Sequence, residues 1–136
     1  EGVAVDPRVG AMRAAVAAAD ALLICTPEYA GALPAALKNL LEWTIGDAGT
    51  YAKPVAWINA AGPAAPTGAA DAHASLAKVL GYAGADIVAA ACARVPVSRE
   101  QIDPAGLVAG EEAGSAIAAA VSELAAHVAR AAPHHG

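Results

Sequence analysis

Three short apolar runs, recurring about thirty residues apart, constrain this chain more than anything else in it. Ala21-Leu22-Leu23-Ile24-Cys25 lies between Asp20 and Pro27. Pro54-Val55-Ala56-Trp57-Ile58-Asn59 and Asp86-Ile87-Val88-Ala89-Ala90-Ala91-Cys92 follow it, and the third could extend through Val95 and Val97. A run this short, with no polar alternation, suits a strand covered on both faces. The segments between the runs have helical period. Asp6-Pro7 supplies a carboxylate cap and a proline at the first helical position, and Val9, Met12, Val16 and Ala19 keep the spacing. Pro34 opens a helix whose Leu37, Leu40, Leu41 and Thr44 share a face, with Lys38 and Glu42 one turn apart on the other. A third helix is expected from Ala70 to Tyr82, with Leu76, Val79 and Leu80 inward. A fourth is expected from Glu111 to Arg130, acidic at its start and basic near its end, as the helix dipole favours. Strands alternating with helices imply parallel pairing and right-handed crossovers, hence one α/β domain over residues 1–136.

Composition narrows the partners. Hydrophobic residues make up 57%, but much of that is Ala and there is no Phe. The core must therefore come from Ala, Leu, Val and Ile, with a few Trp and Tyr. Asp20, Lys38, Glu42 and Asp86 interrupt every candidate membrane span. No signal-peptide pattern opens the chain. A net charge of −5 with scattered basic residues argues against nucleic acid. A cytoplasmic protein is expected. Cys25 and Cys92 fall in the apolar runs and read as buried, reduced thiols rather than a disulfide or a nucleophile. His134-His135-Gly136 reads as a frayed tail with no metal-ligand spacing, and no metal site is expected.

In a parallel sheet the loops after the first two strands, Thr26 to Leu33 and Ala60 to Gly68, emerge at the same carboxyl edge. Open α/β sheets bind ligands in the crevice there. Both loops place glycine among small neighbours, Ala30-Gly31-Ala32 and Ala61-Gly62, so a flat ligand can approach the backbone closely. Neither carries a GxGxxG or Walker pattern. No Ser-His-Asp or Cys-His set is placed for nucleophilic catalysis, and no catalytic side chain is expected. A bound cofactor would have to carry the chemistry. His73 reads as a surface or capping residue, and Thr67 as a helix cap.

The loop and helix from Thr26 to Trp43 also carry a resemblance. Thr26-Pro27-Glu28-Tyr29, Gly31, Pro34, Leu37-Lys38-Asn39, Leu41, Glu42 and Trp43 closely resemble the pattern TPEYNGSxPxxLKNxLDW. That is the signature of the NADPH-dependent FMN reductase family, which includes azo-dye, quinone and chromate reductases. The similarity continues through Lys53-Pro54-Val55 and through Leu76-Ala77-Lys78-Val79-Leu80 before Gly84-Ala85. It implies a flavodoxin-like three-layer sandwich with bound FMN and NADPH or NADH as co-substrate. It also implies hydride transfer through FMN to a small acceptor such as a quinone, an azo compound or a flavin. Carried over residue by residue, Thr26, Pro27, Glu28, Tyr29, Ala30 and Gly31 would line the flavin ring. Ala60, Ala61 and Gly62 would approach its other edge. Glu28 is expected to support the loop, and Tyr29 either to pack on the ring or to cover the core. Trp43 is expected in the core or at a subunit interface, and the resemblance implies a homodimer or homotetramer.

The chain departs from the pattern in two places. The family's Asn is Ala30 here and its Ser is Ala32, so flavin binding is expected to be weaker or altered. No GSxRxxS phosphate loop precedes Asp6. Of the usual strand order 2-1-3-4-5, only strands 3, 4 and 5 are expected, as in the carboxyl-terminal portion of a family member. Ala21 to Cys25 would then be a sheet edge. Neither remaining loop offers a basic residue, so no anion site for the flavin phosphate is expected. A flavodoxin-like subunit without flavin, acting only through association, is the rival expectation.

Overall fold

Most of the expected elements form where the pattern places them. A computed structural model describes residues 5–62 and 64–131. In chain order they form α1 (Pro7–Ala18), β1 (Leu22–Thr26), α2 (Ala35–Ile45), β2 (Pro54–Ala61), α3 (Ala70–Tyr82), β3 (Asp86–Ile87), β4 (Ala93–Pro96) and α4 (Glu111–Ala131). The tail His134 to Gly136 lies outside the described residues. Asp6 caps α1 as expected, its carboxylate accepting from the Arg8 amide at 2.8 Å.

β2 is the middle of the sheet. β1 runs parallel along one side, from Leu22 opposite Val55 to Thr26 opposite Asn59. Along the other side β3 pairs Asp86 with Pro54, and β4 continues from Ala93 opposite Ile58 to Pro96 opposite Ala61. The single third strand expected over Asp86 to Cys92 is therefore broken. A short 3-10 turn, Ala89–Ala91, interrupts it. Three alanines in a row have no β-branched side chains to favour the pleat, and the turn packs against α4 instead.

Side chains alternate across β2. Val55 and Trp57 face α2 and α3, where they meet Leu33, Leu41, Leu76 and Leu80. Ala56 and Ile58 face α4, where Leu124, Ala113 and Ala120 cover them with Val88 and Val95. Each fully buried leucine contributes about 2 kcal/mol of transfer free energy. The α2–α3 side holds the large side chains and the α4 side mostly small ones.

β1 does not fit the expectation of a strand covered on both faces. Leu22 and Ile24 pack toward the α2–α3 core. Leu23, 41% exposed, and Cys25 point to the α4 side and stay open. α4 sits over β2 and β4, and an apolar groove of about 410 Å³ separates its Val121 and Val128 from Leu23. Cys25 is thus an exposed free thiol, not a buried one. Cys92 is a half-buried free thiol, 3.4 Å from the Val88 carbonyl, and burial raises its pKa. Trp43 is 43% exposed and so is not part of the core. No helix among the described residues is long and apolar enough to cross a membrane.

Candidate functional site at the carboxyl edge of the sheet

The first loop leaves β1 at Thr26, which is buried. It turns within four residues. The Tyr29 amide donates to the Ala32 carbonyl at 2.9 Å, and the Ala32 amide returns a bond to the Tyr29 carbonyl at 3.1 Å. Between them Ala30 and Gly31 have φ of +50° and +73°. Positive φ at both central residues is the mark of a type I′ turn, which favours Asn-Gly. The Asn of the family pattern therefore has a backbone reason to stand where Ala30 stands. Leu33 and Pro34 are buried behind the turn and lead directly into α2. Lys38 and Glu42 form the expected pair on the exposed side of α2.

Glu28 ties this loop to the second. One carboxylate oxygen accepts from the Thr67 hydroxyl at 2.6 Å and the other from the Ala72 amide at 2.9 Å. Those partners lie 39 and 44 residues further along the chain. The Thr67 hydroxyl, then the Ala72 amide, hold the Glu28 carboxyl below its ordinary pKa. Thr67 does not cap α3, as the sequence suggested. Ala69 occupies the cap position with φ of +64° and offers no side chain to the helix. Glu28 supplies from the other loop the acceptor that α3 lacks at its start.

The two loops enclose a cavity of about 460 Å³, within the range of about 300–1,000 Å³ usual for small-molecule sites. Pro27, Glu28, Ala30 and Gly31 line it from the first loop. Ala60, Ala61 and Gly62 line it from the second, with Ala60 and Ala61 still in β2 rather than in the expected loop. Thr26 lies buried beneath, and Tyr29, 65% exposed, is not among the lining residues. A Cβ built on Gly62 meets nothing within 4 Å, so this glycine keeps the space open. Below the floor, Asn59 is fully buried, and neither amide atom meets a protein partner. Buried polar groups are rarely left so, and functional sites are one place where they are. A flat ring with polar edges suits this setting: small side chains, accessible backbone and no bulky group in the way.

Sequence reading missed a cation at this edge. Arg94 on β4 stands in register with Asn59, which is itself opposite Thr26. Its guanidinium lines a second cavity of about 430 Å³ that shares Ala61 and Gly62 with the first. The expectation of no basic residue considered only the two loops. A third parallel segment ends at the same edge and delivers its own side chain there. His73, by contrast, is structural. Its Nδ1 accepts from the buried Trp57 Nε1 at 3.0 Å. Burial, followed by the Arg94 charge, lowers its pKa.

Comparison with known proteins bears on the family and the fold. The family described as NADPH-dependent FMN reductase matches residues 1–97. FerB, a flavoenzyme NAD(P)H:(acceptor) oxidoreductase from Paracoccus denitrificans, superposes with a TM-score of 0.81 at 24% identity. That similarity covers 93% of this chain and 70% of FerB. An oxidoreductase from Corynebacterium diphtheriae gives a TM-score of 0.68 at 21% identity, over 93% of this chain and 65% of that one. At these identities the likeness is one of fold, and the fold is flavodoxin-like. No curated protein matches the sequence significantly.

Proposed function

The chain belongs to the NADPH-dependent FMN reductase family, and from that premise we propose that it acts as an FMN-dependent NAD(P)H oxidoreductase on a small flat acceptor. The observation that carries this reading is the small-residue cavity between the two loops. Pro27, Ala30 and Gly31 on one side, with Ala60, Ala61 and Gly62 on the other, would hold the ring, largely through backbone groups. FMN, when bound, supplies the hydride chemistry that no side chain here can provide. The side chains have other tasks. Glu28 is committed to Thr67 and Ala72, and His73 to Trp57, so neither is free as an acid or base. Their role is to fix the two loops at one spacing and so position what lies between them.

The lining is small and weakly polar, which selects for shape more than for functional groups. Quinones, azo compounds and free flavin all fit that description. We assign the second subunit surface to α2, whose Leu40, Trp43 and Ile45 are 43%, 43% and 59% exposed next to the cradle. Apolar residues so placed favour association into a homodimer or homotetramer.

Gly62→Val tests the reading more cleanly than Gly31→Val. The backbone at Gly62 is not in the left-handed region, and its new side chain points into open space. The fold should therefore survive while the cavity fills. FMN titrated by fluorescence quenching should bind the wild-type chain and lose at least about tenfold in affinity in the variant. Unchanged FMN affinity in Gly62→Val would place the flavin elsewhere.

A further inference from the structure

We propose that Arg94 and the cavity it lines form an anion subsite for the phosphate monoester of a ligand whose ring lies in the neighbouring cradle. The proposal rests on the flavin reading above for the ring, but the anion subsite can be tested without it.

Position is the first argument. The cavity beside Arg94 is about 430 Å³ and shares Ala61 and Gly62 with the cradle. The second argument is charge. Among the described residues no carboxylate lines this cavity, and Arg94 is the cation that does. On its other side Arg94 faces a narrower cavity of about 130 Å³ that includes Glu112. Even so, among the described residues Arg94 forms no ion pair. Its contacts are the Thr67 and Gly68 carbonyls, both at 3.5 Å, the long limit of a hydrogen bond. An arginine this weakly engaged retains most of its donors for a ligand.

The third argument is room. Gly68 has φ of +55°, and a Cβ built there would lie 3.8 Å from Arg94 Nη1. A larger side chain at position 68 would crowd the guanidinium. A planar guanidinium with paired donors matches phosphate oxygens better than any other side chain. Two sources could bring a phosphate monoester here: the 5′-phosphate of FMN and the 2′-phosphate that separates NADPH from NADH.

The experiment compares two ligand pairs that differ only in that group. FMN against riboflavin reports the 5′-phosphate, and 2′,5′-ADP against 5′-AMP reports the 2′-phosphate. Each is titrated by calorimetry onto the full chain as wild type, Arg94→Gln and Arg94→Lys, at low and high salt. The wild type should prefer the phosphorylated member of one pair by about tenfold. Arg94→Gln should abolish that preference, Arg94→Lys should keep part of it, and salt should weaken whatever preference the wild type and Arg94→Lys show. The pair that responds names the source. If Arg94→Gln keeps the wild-type preference in both pairs, or the wild type shows none, the subsite is overturned. Failure of FMN and riboflavin alike would instead remove the flavin reading, and the ADP pair would still decide for or against Arg94. Arg94 is exposed, so circular dichroism and thermal unfolding of the variants should match wild type.

Discussion

The two loops that build the cradle leave the same sheet edge but hold their shape in different ways. The first is self-sufficient. Its turn closes on reciprocal backbone bonds between Tyr29 and Ala32, and Pro34 launches α2 immediately behind it. The second relies on backbone turns around Gly62, Ala65 and Gly68, and on a carboxylate from the first loop. α3, which follows it, has Ala69 at its cap position and no side-chain cap of its own. One loop is thus a fixed jaw, and the other is positioned against it through Glu28. A local motif and a tertiary clamp reach the same rigidity, but only the first can be read from neighbouring residues.

Removing the clamp should break the comparison most severely. In Glu28→Ala the Thr67 hydroxyl and the Ala72 amide both lose their acceptor. The second loop and the first turn of α3 should exchange their amide hydrogens much faster, while the first loop stays protected. Hydrogen-exchange mass spectrometry reads both loops in one run. Equal loss of protection in the two would mean that the first loop is not the fixed partner. Glu28→Ala should also lower the thermal midpoint more than any other change described below.

The charge on Glu28 gives a smaller effect with a defined sign. Its folded pKa lies below the ordinary 4.5, chiefly through Thr67 and then Ala72. A carboxyl with a lowered folded value stabilises the fold fully above its unfolded value, and that contribution fades as pH falls through the folded value. Wild type should therefore exceed Glu28→Gln in stability by a constant margin from neutral pH down to about 4.5, and the margin should shrink below it. Denaturant melts at a series of pH values measure it. A margin that widens in acid would reverse the assigned role.

What the sequence disclosed follows the same division. The helix starts at Asp6-Pro7 and Pro34, and the strand–helix alternation that implies parallel pairing, depend on near neighbours, and they appear in the fold. Glu28 with Thr67 and Ala72, Trp57 with His73, and Arg94 beside Gly62 are meetings across the fold, so no spacing announces them. β1 makes the point in reverse. Leu-Leu-Ile-Cys looks like a strand covered on both sides, but coverage depends on where α4 lies, and α4 leaves Leu23 and Cys25 open. The third run failed for a local reason: its alanines add hydrophobicity without β-propensity, and the strand breaks there.

Strain offers the finest test, because each loop carries an alanine in the left-handed region: Ala30 with φ of +50° and Ala69 with φ of +64°. An L-residue with a Cβ gives up about 1 kcal/mol or more to stand there, whereas Asn and Gly tolerate it. The two sites differ in burial. Ala30 is exposed, and Ala69 is fully buried. Ala30→Asn relieves the strain, loses no packing and adds none of glycine's unfolded-chain entropy, so it should stabilise the fold by about 1 kcal/mol. Ala69→Gly relieves a similar strain, but it removes a buried methyl worth about 0.8 kcal/mol. It also loosens the unfolded chain by about 0.4–1 kcal/mol. Those losses match or exceed the gain, and the variant should be up to about 0.8 kcal/mol less stable than wild type. Chemical denaturation of both variants decides the matter. A stabilised Ala69→Gly beside an unchanged Ala30→Asn would mean that the second loop, not the first, holds the greater backbone strain.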